Sequence, residues 1–190
     1  MYLTHADDLR RANAAYKEGR LRQAFDLYKQ LADAGHAESQ VFVAWMLSLG
    51  VGCTRSEAEA ATYYERAAAL GNSVGCFYFG RWLTRAGEHK LAYEFYLRGA
   101  DGNHVPSMFR VGLSLARGKG VAVDLQRAYD VLSSAAMRGH AYALRELAVQ
   151  DLRGGRGLLW MPIGLVEFVA ALCWGVAVSI FNKDSDLLRG

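Results

Sequence analysis

Residues 115–141 read LARGKGVAVDLQRAYDVLSSAAMRGHA, and this stretch contains each part of a pattern that recurs along the chain. Ala128 and Ala136 stand eight residues apart, with the large residue Leu132 midway between them. Residues at i, i+4 and i+8 share one stripe of an α-helix, so the pattern predicts a helix with one buried face. Two glycines precede this helix and a third follows it, which indicates a turn at each end.

The same stripe occurs four times along the chain, at intervals of 36, 32 and 36 residues. Its alanines are Ala24 and Ala32, Ala60 and Ala68, Ala92 and Ala100, and Ala128 and Ala136, and its central residues are Tyr28, Tyr64, Tyr96 and Leu132. Other small residues recur between the stripes, at Ala12, Ala44, Gly80, Gly112 and Ala148. Because small residues let two helix backbones approach closely, each stripe should pack against a partner helix. The sequence therefore predicts an all-α chain of about four stacked helix hairpins and a final half repeat.

Turn residues set the predicted helix boundaries. Long turns with two glycines precede the candidate N-cap residues Ser56 and Asp124, and shorter turns contain Gly19 and Gly87. The predicted helices are 4–18, 21–34, 37–49, 56–70, 73–86, 88–101, 105–117, 124–138 and 141–153. No strand is needed to account for any segment.

Residues 115–141 resemble a Sel1-like repeat. Residues 49–71 are similar, but they have Ser56 in place of the aspartate and lack the valine after the second glycine. The first and third units resemble tetratricopeptide repeats more closely, and the resemblance covers roughly residues 5–153. It implies a repeat domain at 1–153 that forms a right-handed α-solenoid. Its first helices would line a concave face that binds other proteins without catalysing a reaction.

The resemblance also implies which side chains line that face. In similar solenoids they lie three residues before the small residue of each first helix and one residue after it. In this chain these residues are Val41, Trp45, Phe77, Arg81, Phe109, Leu113, Arg145 and Val149. Aromatic residues and arginine contribute most per contact at protein interfaces, so such a groove would bind a helix or an extended peptide of a partner. The alternative is that Trp45 and Phe77 belong to the core between repeats.

The C-terminal region has a different composition. Residues 158–181 read LLWMPIGLVEFVAALCWGVAVSIF, with one proline and one ionisable residue. At about 1.5 Å per residue such a helix would span roughly 36 Å, enough for a hydrocarbon core of about 30 Å. We therefore predict a linker at 154–157, a single transmembrane helix at 158–181 and a polar tail at 182–190. The competing interpretation, a helix that caps the last repeat, requires a polar outer face that this segment lacks.

The flanking charges predict the orientation of that helix. More arginines precede it than basic residues follow it, which favours a single-pass protein of the inner membrane with its repeats in the cytoplasm. Residues 1–20 contain no apolar core of a signal peptide, so we expect no export of the repeats. Basic residues near the membrane could also contact anionic lipid, although a solvated helix face is the commoner explanation.

Glu167 is the one ionisable residue of this apolar segment. A carboxylate in lipid is costly, and steps of four from it reach Ala171, Gly175 and Ser179, small residues that suit close helix packing. This face is predicted to contact an integral membrane partner. Self-association through the same face, or extension of Glu167 to the headgroups, stays open as an alternative.

Composition argues against several classes of function. A net charge of +3, from 22 Lys and Arg and 19 Asp and Glu, does not indicate nucleic-acid binding. His36, His104 and His140 occupy the same position in successive repeats, where the remaining repeat has Asn72, so we expect helix starts rather than metal ligands. No catalytic residue, cofactor or metal site is predicted.

These observations predict a non-catalytic, membrane-anchored adaptor. It would bind partner proteins through the repeat groove and an integral membrane protein through its final helix. The resemblance also leaves room for a regulatory or structural subunit of a membrane enzyme, such as a bacterial envelope polysaccharide synthase.

Overall fold

The computed structural model describes residues 5–152, together with residues 166, 169 and 170. Contacts divide the chain into two compact units, unit 1 at Met1–Ala86 and unit 2 at Gly87–Gly190. Unit 1 contains α1 (His5–Lys17), α2 (Leu21–Asp33), α3 (Ala37–Leu49), α4 (Glu57–Ala69) and α5 (Ser73–Arg85). Unit 2 contains α6 (His89–Asp101), α7 (Val105–Arg117), α8 (Leu125–Met137) and α9 (Ala141–Leu152). Within the described residues the all-α prediction is confirmed, and each helix bound lies within one residue of its predicted position.

Successive helices pack against one another within each unit. In unit 1 these pairs are α1 with α2, α2 with α3, α3 with α4, and α4 with α5. In unit 2 they are α6 with α7, α7 with α8, and α8 with α9. The predicted stripes face these contacts, since Ala24, Ala60, Ala128 and Leu132 are at most 1% exposed.

Two kinds of glycine make this packing possible. A Cβ added to Gly112 of α7 would lie 2.6 Å from Cγ of Leu132 in α8, so this small residue permits the close approach predicted from its spacing. Gly52 has φ +69°, and a Cβ there would lie 2.2 Å from the backbone oxygen of Leu21. Gly120 of unit 2 has φ +77° and would place a Cβ 2.1 Å from the backbone oxygen of His89. In each unit, one glycine turn therefore packs against the start of an earlier helix. The turn before α4 packs against the start of α2, and the turn before α8 packs against the start of α6.

The predicted N-caps are confirmed. Ser56 Oγ accepts a hydrogen bond from the Glu59 N–H at 3.3 Å, and Asp124 Oδ1 accepts one from the Arg127 N–H at 2.9 Å. Each side chain satisfies a backbone donor that the first helical turn leaves unpaired.

No helix within residues 5–152 combines the length and the apolar character needed to cross a lipid bilayer. Apart from residues 166, 169 and 170, the predicted transmembrane helix at 158–181 lies outside the described residues. The same holds for the linker at 154–157, the tail at 182–190 and the predicted face of Glu167, Ala171, Gly175 and Ser179.

Candidate interaction surface

Three helices of unit 1 carry a group of half-buried aromatic side chains next to their small residues. We call Tyr16, Phe42, Trp45, Tyr78 and Arg81 the aromatic face. Their helices, α1, α3 and α5, bury the small residues Ala12, Ala44 and Gly80, while these larger neighbours on the same helices stay partly accessible to solvent.

The first part of the aromatic face is a cluster of rings from α1 and α3. The centroids of Tyr16 and Phe42 lie 5.2 Å apart with the rings at 83°, and those of Phe42 and Trp45 lie 5.4 Å apart. Tyr28 of α2 supports the cluster from the core, with its centroid 4.4 Å from that of Phe42. Edge-to-face and tilted pairs at these distances are favourable, so the rings support one another.

The second part is built on α5. Tyr78 stacks on Tyr64 of α4 with a centroid distance of 4.8 Å. The Arg81 guanidinium carbon lies 5.7 Å from the ring centroids of both Phe77 and Tyr78, within the range of a cation–π interaction. Burial raises the pKa of the Tyr64 phenol, which therefore stays neutral under Tyr78.

The two parts lie on the first helices of neighbouring hairpins. Ser48 Oγ donates to the backbone oxygen of Trp45 at 2.8 Å on α3. Ser48 also contributes to the electrostatic environment of Tyr64, the residue on which Tyr78 stacks.

The groove residues predicted in unit 1 differ in their accessibility. Val41, Trp45 and Arg81 are half-buried, whereas Phe77 is only 3% exposed and lies in the core. Phe77 thus matches the core alternative, and it supports Arg81 from beneath. Sequence analysis missed Phe42 and Tyr78, although each stands two residues before a small residue and this regularity could have revealed them.

In unit 2 the corresponding positions are less aromatic. Leu113 and Val149 are half-buried, Arg145 is exposed, and Phe109 is 8% exposed within a cluster that includes Leu132 and Leu147. An ion pair joins the first helices here, because Arg117 Nη2 lies 3.2 Å from each carboxylate oxygen of Glu146. Arg117 and Glu146 are therefore paired within the unit.

The histidine positions confirm helix starts. His140 Nδ1 accepts a hydrogen bond from the Ala143 N–H at 3.3 Å, and Asn72 Oδ1 accepts one from the Gly75 N–H at 2.9 Å. His36 and His104 each place Nδ1 within 2.9 Å of a serine hydroxyl three residues later. Within residues 5–152 no group of three or more His, Cys, Asp or Glu side chains is arranged to hold a metal ion.

His140 is the most buried of these histidines. It is 1% exposed, stacks on Phe109 with a centroid distance of 4.5 Å, and its Nε2 has no hydrogen-bond partner within residues 5–152. Burial, with smaller contributions from the positive charges of Arg110 and His104, lowers the pKa of His140 to about 4. The ring is consequently neutral near pH 7 and acts as a core residue and N-cap.

Comparisons with known proteins agree with this architecture. The sequence profile of the Sel1 repeat matches residues 21–36, 37–72, 75–104 and 105–140. A crystal structure of a Sel1 repeat protein from Oxalobacter formigenes superposes with a TM-score of 0.73 at 25% identity, covering 89% of this chain and 72% of that one.

Two curated proteins are similar in sequence, and both bear the name exopolysaccharide production negative regulator. The protein from Rhizobium meliloti is 27% identical over 80% of this chain, and the protein from Rhizobium leguminosarum bv. viciae is 26% identical over 80% of it. The chain spans 65% and 64% of the lengths of these relatives.

Proposed function

Because the chain belongs to the Sel1 repeat family, we propose that it acts as a non-catalytic regulatory adaptor that binds a partner protein through its first helices. The observation that carries the proposal is the aromatic face of unit 1. Large rings of a helical repeat normally enter the core, but here Trp45 stays partly accessible within its ring cluster and Tyr78 stays partly accessible beside Arg81. Such fixed aromatic and arginine side chains are the usual anchors of protein interfaces.

The proposed contacts follow the burial of each predicted residue. In unit 1 Val41, Trp45 and Arg81 would touch the partner directly, while Phe77 would act by holding Arg81 in place. In unit 2 the corresponding residues are Leu113, Arg145 and Val149, and the core residue Phe109 would support them. Unit 1 should contribute most of the binding free energy, since its accessible side chains are larger.

Crosslinking in cells followed by mass spectrometry tests this proposal. Trp45→Ala should abolish the crosslinks to the partner, because it removes the largest accessible ring of the aromatic face. Trp82→Ala is the matched control, since Trp82 is a 37% exposed tryptophan of the same unit that stacks on Phe79 instead. Equal crosslinking by the wild type and by Trp45→Ala would contradict the proposal.

A second candidate function is regulation of exopolysaccharide production, as a regulator or as a subunit of a membrane enzyme. It is favoured by the name shared by the two rhizobial relatives. Deleting the gene and measuring secreted polysaccharide tests this candidate. Increased production, restored to normal by the wild-type chain but not by Trp45→Ala, would support negative regulation through the aromatic face, and unchanged production would contradict it.

The same proposal includes membrane attachment through residues 158–181, which rests on their composition alone. The repeats would then lie in the cytoplasm, and Glu167, Ala171, Gly175 and Ser179 would face an integral membrane protein or a second copy of the chain. Basic residues near the membrane would contact anionic lipid. Confinement to the membrane would raise the effective concentration of the aromatic face near its partner.

Fractionation and co-purification test the attachment. The full chain should require detergent for extraction, and Glu167→Leu should reduce recovery of an integral partner. Release of the full chain without detergent would contradict the anchor. Unchanged recovery with Glu167→Leu would favour the alternative in which this carboxylate reaches the headgroups.

A further inference from the structure

Arg81 differs from every other arginine of unit 1. Unit 1 contains eight arginines, all among residues 5–86. Seven of them form salt bridges with aspartate or glutamate: Arg10, Arg11, Arg20, Arg22, Arg55, Arg66 and Arg85. Arg81 forms none within residues 5–152, although its guanidinium is fixed over two aromatic rings.

One candidate carboxylate, Glu57, already has other partners. Glu57 contributes with Arg81 to the electrostatic environment of Tyr64. Its two oxygens, however, pair with Arg55 at 2.8 Å and with Arg85 at 3.7 Å. Arg81 is thus a half-buried cation without a counter-ion of its own in the described part of the chain.

The cation–π contacts hold the guanidinium near two rings without using its donors as hydrogen-bond partners. Its five N–H donors lie in one plane and match the two oxygens of a carboxylate. None of these donors is hydrogen-bonded within the described residues. The Arg81 side chain therefore lacks a hydrogen-bond acceptor within the described residues, and a carboxylate of a partner would supply one.

We infer that Arg81 receives an Asp or Glu side chain of the partner protein, and that Tyr78 receives an apolar side chain next to that acid. This inference rests on the proposed function and names the chemistry of its partner. An acidic apolar segment complements the surface in both charge and hydrophobicity. A nucleic acid or another polyanion fits less well, because residues 1–86 carry ten Lys and Arg against nine Asp and Glu, a net charge of only +1.

Selection from random linear peptides displayed on phage tests the inference on the full chain. The wild type should enrich peptides with Asp or Glu beside an apolar residue. Arg81→Gln should lose the acidic preference, and Arg81→Glu should select Lys or Arg in its place. Arg85→Gln is the matched control, because Arg85 lies on the same helix but already pairs with Glu57. It should retain the wild-type preference.

A selected peptide then allows a quantitative cycle. Fluorescence anisotropy with the synthetic peptide should show binding about 10- to 100-fold weaker to Arg81→Gln, which is the usual effect of losing a charged hydrogen bond. Replacing the acid of the peptide by its amide should weaken binding to the wild type by a similar factor and have little effect on Arg81→Gln. Circular dichroism of each variant establishes that it is folded, and Arg81→Lys, which keeps the charge without the planar fork, should bind with intermediate affinity.

The outcomes separate this inference from the proposed function. Peptides without an acidic preference, or with a preference that persists in Arg81→Gln, would overturn the inference. If binding of those peptides is lost in Trp45→Ala, the aromatic face remains a binding surface and the proposed function stands. If no peptide is enriched, or if enrichment is unchanged in Trp45→Ala, both are overturned.

Discussion

The first helices of unit 1 and unit 2 share one repeat pattern but present different surfaces. One residue after the buried small residue, unit 1 has Trp45 and Arg81, whereas unit 2 has Leu113 and Val149. In the described residues Arg81 of unit 1 forms no salt bridge but lies over two aromatic rings, whereas Arg145 of unit 2 forms none and is exposed. The repeat pattern therefore places side chains at equivalent positions, and the residues at those positions decide how aromatic the surface is.

Both units carry polar links between helices of neighbouring hairpins. In unit 1 one such link joins second helices, since the Tyr63 hydroxyl of α4 donates to Asp33 Oδ1 of α2 at 2.8 Å. In unit 2 one such link joins first helices, as the pair of Arg117 and Glu146 connects α7 with α9. The link between Tyr63 and Asp33 lies on helices that do not carry the aromatic face.

The largest expected effect concerns what the two units have in common. Gly52→Ala would place a Cβ 2.2 Å from the Leu21 backbone oxygen at φ +69°, so we expect the free energy of unfolding to fall by about 4 kcal/mol or more. Gly120→Ala should cost unit 2 a similar amount, because its Cβ would lie 2.1 Å from the His89 oxygen. Chemical denaturation followed by circular dichroism measures both.

Gly35→Ala is the matched control for these variants. Gly35 has φ +92° but no neighbouring atom within 4 Å of an added Cβ, so only backbone strain of about 1 kcal/mol is expected. Equal losses for Gly35→Ala and Gly52→Ala would show that the close contact between Gly52 and the Leu21 backbone contributes nothing to the free energy of unfolding. If Gly120→Ala does not lower the free energy of unfolding, the close packing of a glycine turn against an earlier helix is not needed in unit 2.

This common frame could be predicted from the sequence because its signals are local. The alanine stripes, the glycine turns and the caps at Ser56 and Asp124 each follow from residues within one or two helical turns. The surface was harder to predict, since exposure depends on how a helix is rotated against its neighbours. Phe77 therefore lies in the core, while Phe42, one position closer to its small residue, stays half-buried beside Tyr16 of another hairpin.

The second effect is confined to unit 2 and depends on pH. His140 has a pKa of about 4 in the folded chain against an ordinary value of 6.5, so the folded state binds fewer protons than the unfolded state between these values. The stability that comes from keeping His140 neutral in the core is fully present above pH 6.5 and is lost as the pH falls toward 4. A shift of this size corresponds to about 3 kcal/mol at the acid limit.

Asn72 of unit 1 supplies the control for this pH dependence. Asn72 caps α5 from the same repeat position and does not titrate. His140→Asn should therefore keep the cap of α9 and remove the part of the pH dependence that comes from His140. Denaturation midpoints of both proteins from pH 7 to pH 4 measure the difference, with each variant compared to its own value at pH 7. Parallel curves for the wild type and His140→Asn would contradict the assignment.

A smaller effect is expected for the polar link of unit 1. Tyr63→Phe removes the hydrogen bond to Asp33 and should reduce the free energy of unfolding by about 1 kcal/mol. Asp33 keeps its contact with Lys29 at 2.7 Å, whose hydrogen bond holds the pKa of the Asp33 carboxyl below its ordinary value. Because the aromatic face lies on other helices, peptide binding should be unchanged. Weaker binding by Tyr63→Phe would show that the two sides of unit 1 are coupled.

The smallest effect is expected for the ion pair of unit 2. The Arg117 side chain is 51% exposed and that of Glu146 is 18% exposed, so solvent screens much of their attraction. Glu146→Gln should therefore cost less than about 1 kcal/mol, and less still at high salt, as denaturation at two ionic strengths would measure. The variant leaves Arg117 unpaired, but without the two rings that fix Arg81, so it should not create a second peptide site. A second molecule of the selected acidic peptide bound to Glu146→Gln would show that an unpaired arginine suffices and that the rings of unit 1 are unnecessary.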